Sequence, residues 1–132
     1  MADERSRREA PQSLTPREAM HRFVNSKREE ISKASAKSYR YRLKLFIEWC
    51  EGNGIETVDD LDGWDFDTYE NVRRGNDVAP STLQNEMKTL RNFTKYLERI
   101  ELVDENLHEK IHIPDVSKAA KSDDTMLTPD DA

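Results

Sequence analysis

The chain has 132 residues, of which 35% are hydrophobic and 36% charged, with a net charge of −6 at pH 7. This size fits one domain with polar ends, and the sequence lacks the apolar run of ~18 residues that a membrane-spanning helix requires. A single cysteine, Cys50, excludes an internal disulfide and, with three scattered histidines, provides no zinc-binding pattern. We therefore expect a cytoplasmic domain without a metal, cofactor or small-molecule ligand.

The charge is unevenly distributed along the chain. Residues 1–44 contain 12 Lys/Arg and 6 Asp/Glu, and residues 81–100 contain 4 and 2. In contrast, residues 45–80 contain 2 basic and 10 acidic residues, and residues 101–132 contain 3 and 9. Such asymmetry bears on binding partners rather than on fold. It predicts a basic surface for an anionic partner, separated from acidic solvated loops.

The first two predicted helices have recognisable ends. In the letters TPRE, Thr15 can cap a helix, Pro16 fits its first position and Glu18 completes a capping box. A second helix is predicted to begin at a cap formed by Ser35 and to end near Glu51, before the letters GNG. Its apolar stripe consists of Tyr39, Leu43, Phe46, Ile47 and Cys50.

Two more helices and a short fifth one follow. Asp65 is predicted to cap the third helix, which runs through Arg74. Ser81 and Gln84 are predicted to form a capping box for the fourth helix. A short helix spans roughly residues 105–111, and no segment shows the alternating pattern of a strand. The predicted fold class is therefore all-α.

The fourth predicted helix has two unlike faces. One is apolar, with Leu83, Met87, Leu90, Thr94 and Leu97; the other is polar, with Ser81, Asn85, Lys88, Asn92, Lys95 and Arg99. The second helix similarly presents Lys37, Arg40, Tyr41 and Lys44 away from its core stripe. Cationic side chains neutralise phosphates, and amides can bond to base edges in the major groove. The residues alone leave two interpretations open, DNA contact and a merely solvated helix face.

Signatures of catalysis are missing from the sequence. It contains no glycine-rich phosphate loop, HExxH, CxxC or recognisable Ser/His/Asp set. The acidic residues 59–70 lack the glycine and spacing of a calcium loop and are interpreted as a solvated loop. His108 and His112 have the i, i+4 spacing of a metal pair but no third ligand nearby, so we interpret them as surface or packing residues. No catalytic residue is predicted.

Two segments together resemble a known family. They are SAKSYRYRLKLFIEWCEGNGI and VAPSTLQNEMKTLRNFTKYLERIELVDENLHEKIHIP, with an acidic turn between them. In order and spacing they are similar to the N-terminal core-binding domain of tyrosine recombinases (phage integrases). The matching residues are Tyr39, Leu43, Phe46, Trp49, Gly54, Ser81, Thr82, Leu90, Arg91, Phe93, Asn106 and Pro114. The final letters LTPDD look like the family's start of its catalytic domain.

The resemblance implies a four-to-five-helix SAM-like orthogonal bundle. Residues 1–14 are charged and lack periodicity, which predicts a disordered lead-in. The resemblance makes residues 15–114 the core-binding domain, and residues 115–132 are predicted from their polar composition to be a linker that leads into the start of a catalytic domain. In the family, such a domain forms one half of a clamp around duplex DNA, and its second and fourth helices face the DNA. The other half carries an arginine-rich active site and a nucleophilic tyrosine, so the resemblance implies that this fragment is not an enzyme and that its parent is a site-specific recombinase.

The resemblance also assigns partners and residue roles. The implied partners are double-stranded DNA, bound sequence-specifically, and copies of the parent recombinase in a synaptic complex for DNA integration or other recombination. The residues expected to contact phosphates are Lys37, Arg40, Lys44, Lys88, Arg91, Lys95 and Arg99. Those expected to contact base edges are Gln84, Asn85 and Asn92, and Tyr41, Ser81 and Thr82 complete the predicted surface.

Two further hypotheses concern the setting of the domain. The alternative function is a non-catalytic helical adaptor that docks a protein partner through its first helix and the edge formed by Leu45 and Trp49. The acidic composition departs from the basic composition usual for DNA-binding relatives. It predicts a salt-adapted source, because hydrated carboxylates maintain solubility in high salt, where phosphate contacts are weakened.

Overall fold

The computed structural model describes residues 13–116. The α-helices that lie within these residues are α1 (Pro16–Ser26), α2 (Lys33–Gly52), α3 (Gly63–Gly75) and α4 (Pro80–Arg99). Two 3₁₀ turns, Val58–Asp60 and Leu107–Lys110, precede α3 and follow α4. This part of the chain contains no strand, which confirms the all-α class, and none of its helices is long and apolar enough to cross a membrane.

The short fifth helix and the chain ends need separate comment. The predicted helix at 105–111 is a 3₁₀ turn of four residues. The predicted lead-in and the predicted start of a catalytic domain lie almost wholly outside the described residues, which exclude 1–12 and 117–132.

The starts of α1 and α2 show how well local chemistry predicts helix ends. The capping box of α1 is confirmed, because Thr15 Oγ1 accepts a hydrogen bond from the Glu18 amide at 3.1 Å and Glu18 Oε1 accepts one from the Thr15 amide at 3.0 Å. For α2, the predicted cap was wrong by three residues. Ser32 is the N-cap, and its Oγ accepts a hydrogen bond from the amide of Ser35 at 3.1 Å.

The starts of α3 and α4 also differ from the prediction. Asp62 caps α3, and Asp65 is its partner in a reciprocal capping box rather than the cap itself. The capping box expected between Ser81 and Gln84 does not form. The N-cap is Ala79, two residues before Ser81, and the helix begins at Pro80, whose fixed φ suits the first helical position without a side-chain cap.

Helix α4 is the central element of the domain, since it contacts α1, α2, α3 and the second 3₁₀ turn. Its apolar face is buried as predicted, with Leu83, Met87, Leu90, Thr94 and Leu97 each no more than 2% exposed. Aromatic rings continue this core. The Phe23 ring lies 5.5 Å from those of Phe93 and Tyr96, and the Phe46 ring lies 5.0 Å from that of Tyr69.

A buried ion pair joins α3 to α4. Arg73 donates two hydrogen bonds to Glu86, from Nε to Oε1 and from Nη2 to Oε2, each at 2.8 Å. The Glu86 side chain is only 3% exposed and that of Arg73 16%. The hydrogen bond to Glu86 is the main cause of the raised pKa of Arg73. Because such a pair tolerates little movement, it fixes α4 relative to α3.

Candidate nucleic-acid interface

The polar face of α4 forms what we call the open strip: Ser81, Asn85, Lys88, Asn92, Lys95 and Arg99. All six residues are exposed. At about 100° per residue, they fall within an arc of about 80° around the helix. No acidic residue belongs to the strip. Within the described residues, none of its side chains forms a hydrogen bond or an ion pair, although the Arg99 guanidinium lies over the Tyr96 ring at 5.3 Å.

A second polar strip on α4, which we call the covered strip, consists of Gln84, Arg91 and Glu98. It faces a segment that we call the strap, residues 106–114. Gln84 Nε2 donates to the Pro114 carbonyl at 2.9 Å, and Arg91 Nη2 donates to the Ile111 carbonyl at 2.6 Å. Two of the predicted DNA contacts, Gln84 and Arg91, are therefore already engaged in holding the strap against α4, and we leave them out of the interface.

Glu98 completes the covered strip at the other end of the strap. Its carboxylate accepts hydrogen bonds from the backbone amides of Asn106 and His108 at 3.1 and 2.7 Å, and its Oε2 lies 2.8 Å from His108 Nδ1. Burial acts to raise the pKa of Glu98, but these hydrogen bonds outweigh it and hold the pKa below its usual value. The ionised carboxylate thus stabilises the sharp turn at Asn106, whose φ is +67°.

Helices α2 and α4 meet at a seam formed by Arg42 and Thr89. Arg42 Nη1 donates to Thr89 Oγ1 at 3.3 Å, and Thr89 Oγ1 donates to the Asn85 carbonyl at 2.9 Å. Side chains one helical turn apart are neighbours on a helix surface, so Asn85 lies beside this seam. Arg42 was missed by the sequence analysis, because nothing in the letters RYRLK distinguishes it from Arg40.

Tyr41 and the predicted cations of α2 are all exposed. Tyr41 and the group of three cations lie on different sides of the helix. Tyr41 is 63% exposed and lies on the side of α2 that is near Arg73. After those of Glu86 and Tyr69, its charge interaction is a minor cause of the raised pKa of Arg73. Lys37, Arg40 and Lys44 lie about 140–160° around α2 from Arg42. The helix geometry therefore places these three cations on the flank of α2 that faces away from the seam. Lys44 Nζ also lies 3.9 Å from Glu48 Oε2, one turn further along α2.

His108, His112 and Cys50, which the sequence analysis considered as possible functional residues, each contact other groups of the fold. His108 lies against Glu98, whereas His112 Nδ1 lies 3.0 Å from Glu70, so the two rings address different carboxylates. The described residues contain no group of three or more His, Cys, Asp or Glu that could hold a metal ion. Cys50 is buried on the core stripe, and burial is the main reason that its pKa is raised to about 12. A thiol in this state is a poor nucleophile.

The edge proposed for protein docking is less accessible than the sequence suggested. Trp49 is half-buried, and its ring lies 6.0 Å from that of Phe46 and 5.5 Å from that of Tyr69. Leu45 is also only partly exposed. Trp49 therefore contributes to the packing of α2 on α3, which weakens the case for an adaptor that docks through this edge.

Comparison with known proteins identifies the family. The crystal structure of the N-terminal domain of a phage integrase/site-specific recombinase from Haloarcula marismortui is 50% identical in sequence, with a TM-score of 0.77 over 80% of this chain and 100% of that chain. No curated protein matches the chain. Residues 23–101 match the family model described as phage integrase, N-terminal SAM-like domain. Since this match covers more than half of the chain, the protein belongs to the phage integrase N-terminal SAM-like domain family.

Proposed function

We propose that this domain binds duplex DNA sequence-specifically as the N-terminal clamp half of a site-specific tyrosine recombinase. The observation that carries the proposal is the open strip of α4, a row of cations and amides without a carboxylate. Membership of the integrase family and the likeness to the Haloarcula domain support it. The proposed parent protein would supply the catalytic domain, and copies of that parent would be its partners in a synaptic complex.

The dimensions of α4 suit the major groove. From Ser81 to Arg99 the strip runs about 27 Å along the helix axis at ~1.5 Å per residue. The major groove of B-DNA admits one α-helix, and its base edges can bond to amides such as those of Asn85 and Asn92. Lys88, Lys95 and Arg99 would then contact the phosphates on either side, which positions the amides but carries no sequence information.

The seam between α2 and α4 extends this surface. Arg42 makes one hydrogen bond, to Thr89, within the described part of the chain, although a guanidinium has five donors. Its remaining donors and the exposed Tyr41 hydroxyl would contact the same DNA segment as Asn85. Lys37, Arg40 and Lys44, on the far flank of α2, would contact the phosphate backbone further along the duplex.

The acidic composition predicts that this binding would take place at high salt concentration. The related Haloarcula domain supports the hypothesis of a salt-adapted source. Since affinity from phosphate contacts falls steeply with salt, base contacts and the second half of the clamp would have to supply more of the affinity than they do in a low-salt protein.

The test is fluorescence anisotropy of a labelled duplex of about 30 base pairs, titrated at several salt concentrations. Lys88→Glu/Lys95→Glu changes two cations of the open strip, and the matched control Arg22→Glu/Lys110→Glu makes the same charge change at exposed positions elsewhere. We expect the first variant to bind at least ~30-fold more weakly and to lower the salt dependence by about two phosphate contacts. The control should bind within ~3-fold of the original domain, because its effect is limited to long-range electrostatics.

Equal losses in the two double variants would show that net charge alone governs binding and would contradict the proposed interface. If the folded domain does not bind any duplex even at low salt, the proposal fails for this domain and the adaptor alternative becomes the better explanation.

A further inference from the structure

A groove of about 260 Å³ lies between the C-terminal end of α1 and the last two turns of α4. Phe23 and Tyr96 line its apolar wall, and the charged residues that line it are Lys27, Glu30, Lys95 and Arg99. Lys95 and Arg99 also belong to the open strip, so the groove opens directly onto the proposed DNA surface. Lys27, in contrast, lies at the C-terminal end of α1, to which only the adaptor alternative has so far given a role.

Two of the cations lie over aromatic rings. Lys27 Nζ lies 5.8 Å from the centre of the Phe23 ring, and the Arg99 guanidinium lies 5.3 Å from the centre of the Tyr96 ring. The two rings are themselves 5.5 Å apart. Cation–π contacts of this kind restrict otherwise flexible side chains. Binding an anion here would therefore cost less conformational entropy than binding it to two unrestrained side chains.

The charges in the groove favour an anion. Three cations face one carboxylate, Glu30, whose Oε1 lies 3.4 Å from Lys27 Nζ. Lys27 is half-buried, whereas Lys95 is exposed. Because Asn92, Lys95 and Arg99 belong both to the groove and to the open strip, an extended chain of negative charges that follows the strip would reach the groove.

We propose that this groove seats the phosphodiester backbone of the DNA strand next to the open strip, with Lys27, the C-cap residue of α1, as an anchoring residue. This inference rests on the proposed function. It adds the C-terminal end of α1 to the DNA-binding surface and gives α4 an orientation on the duplex. The C-terminal half of α4 would follow the backbone into the groove, while Asn85 and Lys88, nearer its N-terminus, would enter the major groove.

The first test compares Lys27→Gln with Arg28→Gln in the duplex titration. Arg28 is the next residue, carries the same charge and is exposed, but it does not line the groove. We expect Lys27→Gln to weaken binding by ~3–10-fold and to lower the salt slope by about one phosphate contact. Arg28→Gln should change affinity by less than ~2-fold with an unchanged slope, because its exposed charge lies outside the groove and is screened by salt.

A second test uses the opposite charge change and does not depend on how well Lys27→Gln folds. Removing the carboxylate by Glu30→Gln should tighten binding by ~2–5-fold, because one repulsive charge leaves the path of the phosphates. The matched control is Glu29→Gln, a neighbouring exposed carboxylate that does not line the groove, and it should leave affinity within ~1.5-fold. The isolated domain is used throughout, with circular dichroism to establish that each variant is folded.

The outcomes separate this inference from the proposed function. If Lys88→Glu/Lys95→Glu weakens binding but Lys27→Gln behaves like Arg28→Gln and Glu30→Gln like Glu29→Gln, the groove does not seat the backbone, although the function stands. If competition by millimolar inorganic phosphate abolishes the effect of Lys27→Gln without releasing the duplex, the groove is a site for a small anion, and the inference is overturned. If no duplex binds, both proposals fail together.

Discussion

The open and covered strips of α4 both contain cations and side-chain amides but have different surroundings. Asn85 and Asn92 of the open strip are exposed and make no side-chain hydrogen bond within the described residues, whereas the Gln84 amide of the covered strip bonds to a carbonyl of the strap. Similarly, Lys95 is exposed while Arg91, one turn away, donates to the Ile111 carbonyl. The amphipathic pattern separates surface from core, but it does not separate a surface that meets DNA from one that meets the protein's own chain.

This difference has a thermodynamic consequence. A polar group that already bonds inside the protein must give up that bond before it can contact a ligand. Residues of the covered strip should therefore matter for folding, and those of the open strip for binding. Variants that affect only one of these two properties test the comparison directly.

The largest expected effect lies at Glu86, the buried carboxylate of α4. Arg73→Met leaves the Glu86 carboxylate without its bidentate partner, and breaking a buried ion pair on one side costs about 3–5 kcal/mol. We expect the free energy of unfolding, measured by urea denaturation, to fall by this amount. Lys88→Met, on the open strip, should change it by less than ~0.5 kcal/mol. A loss below ~1 kcal/mol for Arg73→Met would show that the pair does not fix α4 on α3.

The next effect compares neighbouring cations of the two strips. Arg91→Met removes the donor to the Ile111 carbonyl and should cost about 1–3 kcal/mol of unfolding free energy, while duplex affinity stays within ~2-fold for the folded protein. Lys95→Met should do the reverse, with unchanged stability and binding weakened by ~3–10-fold. The two readouts are urea denaturation and anisotropy in the same buffer. Similar behaviour of both variants would break the distinction between the strips.

The smallest expected effect depends on pH and concerns Glu98. Because hydrogen bonds hold its folded-state pKa below the usual value, its stabilising contribution is complete above the ordinary carboxyl pKa of about 4.3 and is lost as the pH falls through the folded-state pKa. Glu98→Gln should therefore be less stable than the original domain by about 1–2 kcal/mol at pH 7. We expect this gap to narrow below about pH 4. A gap that is constant from pH 7 to pH 3 would contradict the assigned role of the carboxylate.

Local sequence chemistry predicts much of this fold. The letters TPRE give the start of α1, and the spacing of Leu83, Met87 and Leu90 gives the buried face of α4. The caps of α2 and α3 were misplaced by three residues, because Ser32 and Ser35, or Asp62 and Asp65, are chemically equivalent candidates that only the backbone distinguishes. The capping box expected for α4 failed because Pro80 starts the helix without one.

The candidate interface was less predictable, since its limits depend on contacts between distant residues. Gln84 and Pro114 are 30 residues apart in the chain, and Arg91 and Ile111 are 20 apart. No local pattern shows that these pairs meet. The roles of Arg42 at the seam and of Lys27 in the groove likewise follow from the packing of α2 and α1 against α4, which the letters around these residues do not encode.

The most direct test follows the three side-chain amides of α4 in ¹⁵N-edited NMR spectra while a duplex is added. We predict that the NH₂ signals of Asn85 and Asn92 shift or broaden as the duplex binds, whereas the NH₂ signal of Gln84, hydrogen-bonded to the Pro114 carbonyl, stays in place. A shift of Gln84 as large as those of the two asparagines, or binding that leaves both asparagines unchanged, would contradict the assignment of DNA binding to the open strip.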